Sequence, residues 1–431
     1  MTEPLPQPAT WRAILRKALL RTAIIALSSL LLGVVTQSNL LGPLSVFVRQ
    51  IQQDFVINQV TQRLYRFGSR PAYITAPRVV LIDLDSASVQ RLSPNGYLFN
   101  RARTAQILEY AKRYQPSAVF VDLDLEQGSN DNGQLSPTDQ RLQTVIRQIK
   151  YPLLLPNKRI LDTEFSSLSA NLTEVNPNVL SAADGVARWI PSSRAEDVLP
   201  ASVALFCAGL GLDVQTQTAR AACLVRAGLS ENATTQNRIV FHQIKRRQDG
   251  QIPVQLWKGF DVIPAVEFLN GAYPVVAETQ KTIFLIGRSD PASNDFFLTP
   301  VDKGGGGGIP GVDIHVHSLM NLITYQHFLE QSNPVVLFII LPITFFVALL
   351  LTYYLTDRLF LGFVVRNKES KNIVKQWWLK RLDGLEGWLI ATVLFFAAIG
   401  IAYWFGYFLD FALPVIAFQY VMSWSIWRKI N

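Results

Sequence analysis

Between Thr22 and Val48 the chain carries no charged side chain, and the same holds for residues 332–356, 387–409 and 411–427. A helix needs roughly 20 apolar residues to cross the hydrocarbon core of a bilayer, so three of these stretches are long enough to span and the fourth lies at the lower limit. Arg12, Arg16, Lys17 and Arg21 precede the first stretch, the basic flank of a membrane entry helix. A cleaved signal peptide is the alternative, but its apolar core would be shorter and would end at an A-x-A-like site. The run TAIIALSSLLLGVVTQSNLLG is longer and offers no such site, and is read as an uncleaved anchor. Asp410 alone separates the last two stretches, which predicts a helical hairpin with Trp424 and Trp427 as interfacial anchors. For 411–427 an interfacial helix is the other reading.

Positive charge sets the orientation. Residues 49–330 hold 27 Lys and Arg against 26 Asp and Glu, so nearly all of the net charge of +8 sits elsewhere. With four spans, the tail 1–21, the loop 357–386 and the end 428–431 share one side. The loop alone carries Arg358, Arg366, Lys368, Lys371, Lys375, Lys380 and Arg381. Short basic loops stay in the cytoplasm, so both termini are predicted there and the segment 49–331 is predicted to be exported. The excess of cations then reflects topology and anionic lipid headgroups rather than a groove for nucleic acid. Cys207 and Cys223 fall in the exported part, where thiols can oxidise. They form either a disulfide or two small buried apolar side chains.

Within 49–331, strand and helix patterns alternate. RVVLIDLD (78–85), AVFVDLDL (118–125) and KTIFLIG (281–287) are almost continuously apolar, as strands covered on both faces should be. RARTAQILEYAKRY (101–114), TDQRLQTVIRQIK (138–150) and ASVALFCAGLGL (201–212) read as helices, and PGVDIHVHSLMNLITYQHFL (310–329) as a helix opened by Pro310. YPLLLP (151–156) is strand-like, while GVARWIP, NRIVFHQI and QIPVQLW read as more exposed strands. The predicted fold class is an exported α/β domain, a mostly parallel or mixed sheet with flanking helices, plus four transmembrane α-helices.

The chemistry in this sequence is carried by aspartates at strand ends. Parallel strands bind ligands at their carboxyl edge, so neighbouring strands ending in Asp83 and Asp122, with Asp85 and Asp124 two residues on, would set carboxylates side by side. Such a rim suits a hard cation. It equally suits plain capping of the helix that begins at Ser86. His315 and His317 at i and i+2 diverge on a helix and cannot share one ion; His315 falls on the face of Leu319 and Leu322, as a core histidine would. GGGGG (304–308) lacks the lysine and spacing of a phosphate loop and reads as a surface loop. No G-x-S-x-G, H-E-x-x-H or C-x-x-C signature occurs, so neither catalytic residues, nor a resident metal, nor a cofactor is predicted.

Six pieces in order resemble the CHASE2 extracellular sensory domains of bacterial membrane receptors. They are RVVLIDLDSASVQRL, Arg101 after GYLFN, AVFVDLDL with the D-x-x-L of Asp139 to Leu142, AADGVARWIP, FLIGRSDPASNDFFLTP, and PGVDIHVHSLMNLI. One apolar span before and three after match the membrane layout of that family. The sequence departs where the family has a W-P-W-P element, here YLFN, and where it commonly has a histidine, here Thr104. Receptors of this kind carry a kinase or cyclase after the last span, whereas this sequence ends at Asn431. The resemblance implies a sensor of a small-molecule or envelope ligand, signalling through a separate protein or membrane complex docked on 361–381. Asp83, Asp85, Ser86, Arg101, Asp122, Asp124 and His315 are its expected ligand-side residues. An accessory subunit of a membrane complex and a metal-dependent exported hydrolase are the rival classes.

Overall fold

The computed structural model of the chain describes residues 77–93, 100–126, 134–229, 260–273, 281–299 and 308–331, with short interruptions, and scattered positions elsewhere. Two compact units divide the chain, Asp54–Glu330 on one hand and Met1–Gln53 with Gln331–Asn431 on the other. The four apolar stretches and the basic loop lie outside the described residues, apart from single helical positions at Phe346, Val347 and Leu350 and the extended pair Tyr407–Phe408. Among the described residues no helix is long and apolar enough to cross a membrane. The expected strand at 251–257 and most of the glycine run also lie outside them.

Asp54–Glu330 is built on six parallel strands: β1 (Arg78–Leu84), β2 (Ala118–Asp122), β3 (Leu153–Leu155), β4 (Leu172–Glu174), β5 (Phe260–Pro264) and β6 (Thr282–Arg288). Their order across the sheet is β5-β1-β6-β2-β3-β4. Six consecutive residues of β1 and six of β6 are buried, because helices cover both faces. Side chains alternate between two cores. Val79, Leu81, Phe120, Ile283 and Leu285 enter one, while Val80, Ile82, Val121, Phe284 and Ile286 enter the other.

The second core is closed by α1 (Ser86–Leu92), α2 (Arg101–Ala111), α3 (Pro137–Arg147) and the short α6 (Ala265–Leu269). The first is closed by α4 (Ala201–Leu210), α5 (Gln217–Arg226) and α7 (Gly311–Tyr325). Connections that step one way across the sheet, β1 to β2, β2 to β3 and β5 to β6, put their helices on one face. The return from β4 to β5 uses the other, as right-handed crossovers require. Helix α4 is apolar all round, with nine buried residues, since the sheet lies on one side and α5 and α7 on the others. Cys207 and Cys223 are both fully buried and bonded to each other, S–S 2.07 Å, tying α4 to α5. A loop of this length stabilises by about 3 kcal/mol.

Three expectations need correction. Strands β1 and β2 are not neighbours, because β6 lies between them and pairs with both. The register therefore runs Asp83, Gly287, Asp122, and the two aspartates are separated by a strand without a side chain at that level. Chain order failed as a guide because the most apolar strand of the later sequence is inserted between two earlier ones. Asp85 has left the strand: its side chain accepts a hydrogen bond from Ser88 N at 2.8 Å and caps α1. The helix expected to open at Pro310 starts one residue later. Pro310 ends the two-residue strand Ile309–Pro310, paired with Phe296–Phe297, and α7 begins at Gly311.

Candidate functional site

At the carboxyl edge of β2 the chain continues its alternation beyond the sheet. Leu123 and Leu125 remain buried while Asp122, Asp124 and Glu126 are directed outward to line a cleft of about 480 Å³. Pro156 and Asn157 after β3, Arg101 of α2, Arg288 at the end of β6, and Ser293 and Asp295 beyond it complete the walls. The position follows from topology. After β2 and β1 the chain turns to one face of the sheet, after β6 to the other, and a crevice opens between the diverging connections.

Both arginines are held from behind. Arg101 Nη1 lies 3.0 Å from Asp139 Oδ1, and the Asp139 side chain is fully buried at the first turn of α3. Arg288 grips Asp290 with two hydrogen bonds, Nε to Oδ1 at 2.7 Å and Nη2 to Oδ2 at 2.8 Å. Asp124 Oδ1 accepts from Glu126 N at 3.0 Å and from Asn157 Nδ2 at 3.4 Å, which fixes the loop after β2 to that after β3.

Helix α7 packs on β6 beside the cleft. Its residues from Val312 to Ile323 are all buried, and three of its polar members meet the backbone of the preceding turn. His317 Nδ1 meets Asp313 O at 2.6 Å, Ser318 Oγ donates to Ile314 O at 2.8 Å, and Asn321 Nδ2 donates to His317 O at 2.6 Å. His315 faces Asp122 instead. Its ring stands edge-on to Phe120, 5.3 Å between centroids, with Nε2 4.0 Å from Asp122 Oδ2. The approach of α7 is permitted by two glycines. A Cβ on Gly287 would lie 2.5 Å from Val312 Cγ2, and one on Gly311 would overlap the Asp295 carboxyl, whose backbone oxygen accepts from Gly311 N at 2.9 Å.

Burial pushes the Asp122 carboxyl up to about 7, and it lowers His315 to about 4 against the opposing pull of Asp295 and a backbone hydrogen bond to Pro177. At neutral pH the imidazole is therefore uncharged, and its contact with Asp122 is not an ion pair. Asp295 is raised as well, by desolvation first and then by the charge of Asp122, with His315 opposing. Among the described residues, no group of three or more His, Cys, Asp or Glu could hold a metal ion.

Of the residues singled out in the sequence, Arg101, Asp122 and Asp124 line the cleft, and His315 lies behind Asp122 without lining it. Asp83 is buried between Gly287 and Pro264, Asp85 caps α1, and Ser86 is exposed on that helix. Glu126, Asn157, Arg288 and Asp295 were not among them. Arg288 and Asp295 stand in FLIGRSDPASNDFFLTP, one of the six pieces, so the signal was present though the individual residues were not distinguished. Thr104, where the resembled family commonly has histidine, is fully buried, and its Oγ1 makes no hydrogen bond among the described residues.

The pieces that lay apart in sequence meet here. Arg101 bonds Asp139, Asp122 faces His315, Asp295 abuts Gly311, and Ala187 N donates to Leu298 O at 2.7 Å. In a comparison with protein families, residues 30–354 match the model of the CHASE2 domain. No curated protein and no solved structure matches the chain.

Proposed function

The chain belongs to the CHASE2 domain family, a family of sensory extracellular domains, and from that premise we propose that it is a membrane-anchored extracytoplasmic sensor whose ligand enters the cleft beside β2 and β6. One observation carries the placement: a polar cleft of about 480 Å³, the volume of a small-molecule site, opens where three of the six motif segments converge. The bonded pair Cys207–Cys223 supports an oxidising compartment for the domain. In this reading residues 22–48, 332–356, 387–409 and 411–427 span the bilayer and both termini are cytoplasmic. The basic segment 361–381 lies against anionic lipid and docks a separate signalling protein.

Occupancy of the cleft reaches the membrane through α7. That helix meets Asp122 and Asp295 near its start, and its last residue, Tyr325, is only a few residues from the span expected at 332. The test is a cross-linking pulldown of the full chain from membranes, with Lys371, Lys375, Lys380 and Arg381 changed to serine in a second sample. A regulated signalling protein recovered with the first and lost from the second supports the proposal. A constant stoichiometric partner retained by both would assign the chain to the structural subunits of a complex.

A further inference from the structure

The exposed charges at the two edges of the six-stranded sheet have opposite signs. At the carboxyl edge the exposed acids Asp124, Glu126 and Asp295 surround the cleft. A helix that links parallel strands runs back across the sheet, so α2, α3 and α4 deliver their last turns to the amino edge. Hydrogen bonds knit the chain together there. Arg78 N donates to Lys281 O and Ser117 N to Thr282 O, both at 2.8 Å, while Asn171 Nδ2 donates to Ile149 O at 2.9 Å. Five exposed cations lie along this edge, Lys112, Arg113, Arg147, Lys150 and Lys281.

Lys281 Nζ donates to Leu210 O at 3.2 Å, as a cation at the carboxyl end of a helix should, and Arg113 lies over the Tyr110 ring at 4.5 Å. None of the five forms an ion pair among the described residues. The exposed acid at this edge is Asp213, whose Oδ1 accepts from Gln215 N at 2.9 Å. Beside it Leu212 is 40% exposed, and the preceding Gly211 lies against Lys281 Nζ. A cationic rim with an exposed leucine is the surface that an anionic headgroup layer fits.

The path of the chain points the same way. Helix α7 starts with Val312 over Gly287, and one turn later His315 stands against Phe120, which pairs with Leu285, so the helix runs toward the amino edge. Its last residue is Tyr325, and seven residues reach at most about 25 Å. The span expected at 332 is therefore tethered close to the cationic edge. Resting on the membrane-anchored reading above, we propose that the amino edge of the sheet docks on an anionic phospholipid bilayer, with Leu212 among the headgroups and the five cations against their phosphates. The acidic edge and its cleft then face away from the bilayer.

The test uses the full chain in lipid nanodiscs, with an environment-sensitive fluorophore on Leu212→Cys. Its emission should shift to the blue in discs containing about one-third anionic phospholipid and stay unshifted in zwitterionic discs. The shift should vanish in about 0.5 M KCl, where screening shortens the Debye length to roughly 4 Å. The same probe on Glu126→Cys, at the opposite edge, should not respond. Each cation near an anionic surface favours the docked state about fivefold, so Lys112→Gln with Arg113→Gln should lower the docked-to-undocked ratio roughly 25-fold. The salt arm needs no charge substitution and decides the question if that variant unfolds. An equal shift in zwitterionic discs would overturn the docking, as would one that appears only when two copies share a disc, which would assign the edge to an interface between copies. A chain that carbonate strips from vesicles would remove the anchoring on which the docking rests. A chain that stays integrated with an unresponsive probe would overturn the docking alone.

Discussion

Asp122 and His315 pull the pH dependence of stability in opposite directions, and the two can be separated. A carboxyl raised to about 7 when folded, against about 3.9 unfolded, gives stability that is fully present below the lower value and lost as pH rises to the higher. Asp122→Asn should therefore gain on the parent protein between pH 5 and pH 8, on the order of 2 kcal/mol after discounting for the carboxyl's partial exposure. His315 is lowered to about 4, so its contribution is present above about 6.5 and lost as pH falls toward 4. His315→Gln should flatten that acid limb, and chemical denaturation at four pH values reads both effects. Thr104→Val removes a buried hydroxyl that has no partner among the described residues, and should stabilise by about 1 kcal/mol. Loss of stability in that variant would mean that the hydroxyl has a bonding role. Arg101→Met removes the ion pair to fully buried Asp139 and should cost about 3 kcal/mol, part of it recovered in the double variant with Asp139→Leu.

At the scale of elements, the seat of α7 on β6 is set by Gly287. Adding a methyl there forces Val312 away, and Gly287→Ala should cost about 1–3 kcal/mol by urea denaturation. Trimming the opposing side chain in Gly287→Ala with Val312→Ala should restore part of it; no recovery would place the strain elsewhere. The strands that form the sheet's centre were legible in the sequence because burial on both faces leaves an uninterrupted apolar run. Strand β5 was missed since FDVIP is short and interrupted by Asp261, whose carboxylate is neutralised by Arg78 at 2.5 Å. Neighbour relations were not legible at all. Nothing in RVVLIDLD says that KTIFLIG will lie beside it, because that choice is made by crossover handedness and by which face each helix can cover.

For the whole molecule, local pattern singled out some residues of the candidate cleft and tertiary placement composed the rest. Asp122 and Asp124 were visible as a strand end, and His315 as a histidine on an apolar helical face. Asp295 was not, because its role depends on a loop folding back against Gly311, 16 residues later. The four aspartates of the two D-L-D runs proved to be of three kinds: a buried one, a helix cap, and two that line a cleft. In the function proposed here that cleft is where sensing begins, and export of the domain would determine what kind of ligand reaches it.

A single substitution tests both together. The chain's two cysteines are bonded to each other, so Glu126→Cys places one free thiol at the cleft mouth. Intact cells are treated with a maleimide that cannot cross the membrane, with and without prior permeabilisation. The account predicts full labelling of Cys-substituted position 126 in intact cells, unchanged by permeabilisation. Labelling only after the membrane is opened would place the cleft inside the cell and contradict the exported sensor.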